Sequence, residues 1–317
     1  MSNAKAVDLL VRHMEEKCAT KSRALESAPG GPVAATPHEP DSRVASFALS
    51  YLDAFGYLKR ELAEWKDITL PDILDGLVHF QEMFQLPKTK ALTVQTVKAM
   101  EARRCGCCDL LTPCCASGQR AITERLPKWK KAGLTYFVED GVPGLDREVF
   151  NAALRSGFLA WTIYVNLHVE PAPTPGAADI VVGVGKGPQS NFDGPGGTFA
   201  WTELPDGSDK PVRMKFDGDE QWTADARQPG VCVHNVVRHE IGHALGLTHS
   251  RVPTALMAPA YNPVVRDPQQ VDDVSRLLDR YGIEAPPGDD RATVEMPVPI
   301  GDAIAALKRA GYKVTSG

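Results

Sequence analysis

The sequence predicts an α+β protein in two units, a small helical one followed by a larger mixed one. Two patterns predict it. Before residue 101 the apolar residues recur at helical spacing in several separate stretches. After residue 126, short β-branched and aromatic runs alternate with helical stretches. A third feature places the chemistry: His239, Glu240, His243, Gly246 and His249 stand at fixed spacing at the end of one helical stretch of the second unit.

The elements follow in order. Residues 7–17 have helical spacing, and 28–40, rich in Pro, Gly and Ala, read as a linker. Residues 44–55, 70–84 and 93–101 read as three short helices that form a small bundle. Residues 105–123 form a polar connection containing cysteines. In the second unit, 134–138 reads as a strand and 146–161 as a helix with Asp146 at its N-cap. Further strands are expected at 162–169, 179–184, 198–202 and 212–216, and helices at 231–245 and 268–281. Residues 285–290 form a second linker, and the tail beyond it carries a strand at 293–298 and a helix at 302–310. The boundaries expected are an N-terminal extension (1–43), a helical unit (44–104), a connection (105–125), the mixed unit (126–283) and a tail (284–317).

The chain has 317 residues, enough for two modest domains, and its 43% hydrophobic and 24% charged content is that of a globular protein. A net charge of -5 gives no sign of nucleic-acid binding. No run approaches the roughly 18 apolar residues of a membrane span, and residues 1–20 lack the apolar core of a signal peptide. Of seven cysteines, five cluster as Cys105, Cys107, Cys108, Cys114 and Cys115. Such a cluster suits a metal-thiolate or redox site, or local disulfides. Cys18 stands alone, and Cys232 reads as a buried apolar residue at the start of a helix.

The histidine motif specifies a catalytic metal centre. His239 and His243, four residues apart, share one helix face and can share one ion. Gly246 tolerates a positive φ, so the chain can leave the helix and bring in His249. Three protein ligands leave one position open, the pattern of a catalytic rather than a structural zinc. Glu240 is placed to take a proton from water as general base and return it as general acid. Met257 follows eight residues after His249.

With that motif and Met257, the chain resembles the metzincin proteases, and within them the matrix metalloproteinases. Residues 51–58 (YLDAFGYL) and 80–87 (FQEMFQLP), with Thr96 and Met100, resemble the matrixin propeptide. Residues 193–197 (DGPGG) and 216–223 (FDGDEQWT) match the family's calcium-loop and strand motifs. The resemblance implies a metzincin catalytic domain, a twisted and mostly parallel sheet with three helices, behind a three-helix propeptide and without a hemopexin-like domain. It implies a zinc endopeptidase made as a latent zymogen, acting on protein or peptide substrates, with one catalytic zinc held by His239, His243 and His249. No nucleic-acid partner and no membrane span are expected. A monomer is expected, secreted by family analogy although no signal peptide is visible.

The resemblance also assigns further residues. The propeptide cysteine motif corresponds to residues 103–109 (RRCGCCD), in which Arg104, Cys105, Gly106 and Asp109 match and both family prolines are absent. Cys105 is then the thiolate that closes the fourth zinc position, Arg104 and Asp109 pair to shape the loop, and Cys107 and Cys108 stand as competing thiols. Calcium is expected on Asp193, Asp217 and Glu220, with backbone oxygens of Gly194, Gly196 and Thr198. A second calcium site is not expected, since Arg213 stands where a carboxylate would join Asp179. Phe199 and Ala200 resemble the edge strand along which substrate lies. Pro259 and Tyr261 resemble the outer wall of the specificity pocket, and Met257, by the same resemblance, is an apolar floor beneath the histidines and not a ligand. Asn235 either sets pocket depth or bonds local backbone. The family's structural zinc is not expected, because Lys186, Pro188, Trp201 and Lys215 stand at its ligand positions. Two other readings stay open: a cell-wall glycan-binding role for the helical unit, and a metal-thiolate or redox role for the cysteine cluster.

Overall fold

The computed structural model describes residues 3–25, 37–58, 65–110 and 127–282. Most of the first expected linker, Cys114 and Cys115, and the whole C-terminal tail with its expected strand and helix lie outside the described residues.

The helical unit is built from α1 (Ala4–Leu25), α2 (Ser42–Ala54), α3 (Leu70–Met83) and α4 (Val94–Met100). Its helices start where the sequence supplies side-chain oxygens for orphan backbone amides. Asp41 caps α2, Thr69 and Asp72 form a capping box on α3, and Thr93 caps α4. Helix α1 runs beyond the expected 7–17 at both ends. Ala6, Leu10 and Met14, four residues apart, are buried in the same core as Leu49, Leu52, Leu77 and Phe80. The full burial of a side chain such as Leu10 or Met14 contributes about 1.5–3 kcal/mol. His13 Nε2 hydrogen bonds the Lys90 carbonyl at 2.7 Å. Residues 44–104 therefore share their core with the N-terminal extension.

The second unit is a six-stranded sheet in the order β1-β5-β6-β4-β2-β3. Its strands are β1 (Arg104–Cys105), β2 (Gly133–Val138), β3 (His168–Pro171), β4 (Ile180–Gly185), β5 (Thr198–Thr202) and β6 (Val212–Asp217). All pairings are parallel except β5 with β6. Strands β7 (Trp222–Thr223) and β8 (Val231–Cys232) pair separately. Helices α5 (Arg147–Thr162), α6 (Val233–Ala244) and α7 (Ser275–Tyr281) complete it, α7 following a single π-helical stretch at Gln270–Val274. Helix α5 begins on the Asp146 cap and packs along α6. Trp161 and Trp129 pin α6 by donating indole N–H bonds of 2.8 Å to the Arg238 and Ala244 carbonyls.

One expected strand is corrected. Residues 162–167 are not extended: Tyr164 and Val165 donate back to the Trp161 and Thr162 carbonyls, winding off the end of α5, and β3 starts only at His168. The run Ile163-Tyr164-Val165-Asn166-Leu167 has β composition, but Tyr164, Val165 and Leu167 pack on the core from a turn. Cys232 is buried and caps α6, as expected, but it ends β8 rather than lying within a longer helix.

Candidate active site

Helix α6 presents His239 and His243 on one face, and Gly246, at φ +91°, lets the chain turn back. Gly246 and Leu247 donate to the His243 and Gly242 carbonyls, closing that turn. His249 follows from outside the helix. The three Nε2 atoms lie 3.1, 3.2 and 3.3 Å apart, and all three rings are buried.

The outer nitrogens decide what those Nε2 atoms are. Nδ1 of His239 faces the Leu256 carbonyl, Nδ1 of His243 the Leu247 carbonyl and Nδ1 of His249 the Asp109 carboxylate, each at 2.7 Å. These oxygens only accept, so each Nδ1 carries the proton and each Nε2 is left with a bare lone pair. Burial first, then the nearby His249 ring, holds His239 down at about 3, and burial likewise lowers His243 and His249. Three neutral imidazoles thus aim lone pairs at one point. Tetrahedral zinc with Zn–N bonds of about 2.0–2.1 Å would set its nitrogens roughly 3.3 Å apart. The residues fit that ion.

Cys105 lies beside the three imidazoles. Its Sγ lies 3.5 Å from His243 Nε2, and the thiol and the three imidazoles place ligand atoms within 4.8 Å of one another. The thiol is buried, and burial pushes its pKa well up. Its segment crosses the cleft as an added strand. Gly106 donates to the Ala200 carbonyl at 2.7 Å and Cys105 to the Pro259 carbonyl at 3.0 Å. Tyr261 donates to the Arg103 carbonyl on the far side. Gly106 passes so close to β5 that a Cβ there would sit 2.5 Å from Thr198 Cγ2. Phe199, Ala200, Pro259 and Tyr261 therefore form the two walls that hold this segment.

Arg104 and Asp109 pair as the sequence implies, through two contacts of 2.6 and 2.9 Å, both side chains buried. The guanidinium lies 3.5 Å from the Phe55 ring centroid and reaches Tyr51 and the Cys105 and Cys107 carbonyls. Asp109 accepts further bonds from Tyr57 and His249. Burial works against its charge, but Arg104 and His249 hold its carboxyl below the usual range. Asp109 thus orients one metal ligand as well as shaping the loop, a role that the sequence spacing did not reveal. Cys107 is a free thiol that bonds the Thr202 backbone, and Cys108 is disulfide-bonded.

Glu240 is fully buried beside the three histidines. Burial pushes its pKa up to about 7, with the Thr202 hydroxyl and the Cys105 thiol pulling the other way. Its Oε2 accepts from Thr202 Oγ1 at 2.7 Å. Met257 is fully buried in the core that underlies α6. Asp273 fixes this turn by accepting from the backbone N–H groups of Leu256, Met257 and Gln269 at 2.8, 3.1 and 2.9 Å. The sequence carried one signal of Asp273, a carboxylate on the same helical face as Val274 and Leu277. Thr202 carried none.

A pocket beside His239 is lined by Phe199, Asn235, Ala258, Tyr261 and Val265. Asn235 lines it while donating to the Pro263 and Val265 carbonyls, so it stitches the pocket's outer loop to α6. At the end of β6 and in the turn beyond it, Asp217 Oδ2 and Glu220 Oε2 are buried without hydrogen-bond partners among the described residues. Gly194 and Gly196 have φ of +88° and +99°; Gly196 N–H donates to Glu220 and Thr198 N–H to Asp193. Lys186 pairs with Asp219 at 2.7 Å and Lys215 with Glu139 at 2.9 Å. Trp201 donates to the Ser190 carbonyl, tying down the same loop. Asp179 is engaged by Lys131 and the Thr135 amide, and Arg213 by Glu203.

Three buried imidazoles and a buried carboxylate next to them define a candidate zinc hydrolase site. A family model of the matrixins matches residues 128–282. Matrix metalloproteinase-19 of Homo sapiens is 33% identical over 261 residues, 79% of this chain and 48% of that protein. Its Mus musculus counterpart is 34% identical over 248 residues, 75% of this chain and 44% of that protein. Matrilysin of Rattus norvegicus is 30% identical over 241 residues, 74% of this chain and 86% of that protein. The chain spans about half the length of the two matrix metalloproteinase-19 relatives. It belongs to the matrixins, the zinc-dependent metalloendopeptidases of the matrix metalloproteinase family. The glycan-binding and metal-thiolate readings are not favoured by these likenesses. Among the described residues no helix is long and apolar enough to cross a membrane.

Proposed function

We propose that this chain is a latent zinc endopeptidase in which Cys105 closes the metal site and Glu240 is the general base and acid. The observation that carries the proposal is the convergence of Cys105 and three imidazole lone pairs on one buried point. The chemistry a zinc ion supplies at such a site is Lewis-acid polarisation of the scissile carbonyl and acidification of water. Glu240, whose pKa burial pushes up to about 7, takes the proton of the attacking water in its ionised form and returns it to the leaving amine. An extended substrate takes the place of the 103–106 segment between β5 and residues 259–261, pairing by β-augmentation, with an apolar side chain in the pocket by Asn235 and Tyr261. Protein or peptide substrates and a secreted, monomeric enzyme follow from the same reading.

Calcium belongs to this proposal. The partnerless oxygens of Asp217 and Glu220, with Asp193 nearby, form a hard-oxygen set, and burial together with these carboxylates raises the Asp217 pKa. Lysines at two of the expected structural-zinc positions support one zinc per chain.

The test is cleavage of a peptide library with and without a chelator. Glu240→Ala should fold and keep zinc but lose nearly all cleavage. Cys105→Ser should raise activity without added protease, because a hydroxyl is a far poorer zinc ligand than a thiolate. Activation by Cys107→Ser alone would move the switch by two residues, and activation by neither would remove it.

A further inference from the structure

We propose that Thr202 is a positioning residue for hydrolysis, its hydroxyl holding Glu240 by Oε2 so that Oε1 is the oxygen free to carry the proton. The inference rests on the reading of Glu240 as the base. Helix α6 fixes the Cα of Glu240, but three side-chain torsions remain, and a base must be held within hydrogen-bond reach of the proton it takes. The two carboxylate oxygens are not equivalent. Oε2 accepts from Thr202 Oγ1 at 2.7 Å, whereas Oε1 is buried and has no hydrogen-bond partner among the described residues. A buried carboxylate oxygen left unpaired is costly unless something else comes to it. A Glu240 oxygen lies within 4.8 Å of Cys105 Sγ and a His243 ring nitrogen, where the reacting water and leaving amine would be.

Thr202 is suited to the task by its place in the fold. It ends β5, the cleft edge strand, and pairs with Met214 of β6, so its backbone is fixed by the sheet. Its β-branched side chain has restricted χ1, and it is buried. Its backbone N–H and carbonyl are occupied by Cys107 Sγ at 3.3 and 3.2 Å. Departure of the 103–109 segment frees those backbone groups for a substrate and leaves the hydroxyl on Glu240. One residue therefore ties the edge on which the substrate lies to the base that acts on it.

The experiment uses the full chain as wild type, Thr202→Val, Thr202→Ser, Glu240→Gln and the Thr202→Val/Glu240→Gln double variant. Kinetics on a fluorogenic peptide are measured with and without a thiol-blocking mercurial, alongside zinc content and Tm. Valine keeps the shape and loses the hydroxyl, so kcat should fall roughly tenfold with KM within about twofold. Serine should restore kcat, zinc content and Tm should stay at wild-type values, and valine should add no further loss to Glu240→Gln. Wild-type kcat in Thr202→Val overturns the proposal. So does a loss that serine fails to restore, a change confined to KM, or an equal loss in the Glu240→Gln background. If Glu240→Gln itself keeps activity, the base reading fails; if Glu240→Gln is inactive and Thr202→Val normal, only the role of Thr202 fails.

Discussion

Replacing Arg104 by methionine removes the cation that holds the switch segment in shape while keeping an unbranched stem to lie across Phe55. Arg104 and Asp109 are 3% and 5% exposed, so Asp109 would be left buried with its main counter-charge gone. Breaking a buried pair by removing one partner costs about 3–5 kcal/mol. Asp109 would keep hydrogen bonds from Tyr57 and His249, so the lower end applies. At about 1.4 kcal/mol per tenfold, roughly 3 kcal/mol shifts the equilibrium toward the undocked segment by about a hundredfold. Arg104 makes no direct contact with His239, His243 or His249, and Asp109 keeps its bond to His249, so the three imidazoles should still hold zinc. The assay is cleavage of a fluorogenic peptide by the unprocessed chain, paired with the rate at which Cys105 reacts with a chromogenic disulfide. Both should rise by about two orders of magnitude over wild type, with zinc content unchanged. An Arg104→Met chain as latent as wild type, with Cys105 equally protected, would refute the reasoning.

Three further outcomes are expected. Asp273→Ala leaves the Leu256, Met257 and Gln269 amides without their acceptor and should cost about 2–4 kcal/mol in a urea titration; an unchanged midpoint would show that the turn holds itself. Selective calcium removal should lower Tm by roughly 5–10 °C, as expected for a ligand near a hundred times its Kd on a domain this size, and Glu220→Gln should blunt the effect; no change in either would count against the site. Elemental analysis of the chain with its cysteine cluster blocked should give close to one zinc, and a value near two would show that a second site survives despite Lys186 and Lys215.

The parts of this architecture that were legible in the sequence are those set by local chemistry. Asp146 marks a helix start because its carboxylate oxygen accepts from the neighbouring Glu148 amide. The β-branched and aromatic run at 198–202 gave β5 at its observed bounds, and the spacing of His239, His243 and His249 picked out three imidazoles that the structure brings together. Residues 162–169 misled because β-branched and aromatic side chains suit any buried turn as well as a strand. What stayed hidden depends on contacts between distant segments. Asp109 reaches His249 across 140 positions and Thr202 reaches Glu240 across 38, and neither pair leaves a local pattern. The amphipathic helix at 7–17 was legible, but the core it joins was not, since its partners Leu49 and Leu77 lie beyond the first linker.

The most direct test of the central claim is zinc-edge X-ray absorption on the unprocessed full chain. One sulfur at about 2.3 Å and three imidazole nitrogens at about 2.0–2.1 Å are expected. The sulfur shell should vanish in Cys105→Ser as peptidase activity appears. A latent wild-type chain whose zinc shows only nitrogen and oxygen, or a Cys105→Ser chain that keeps its sulfur shell, would contradict the account.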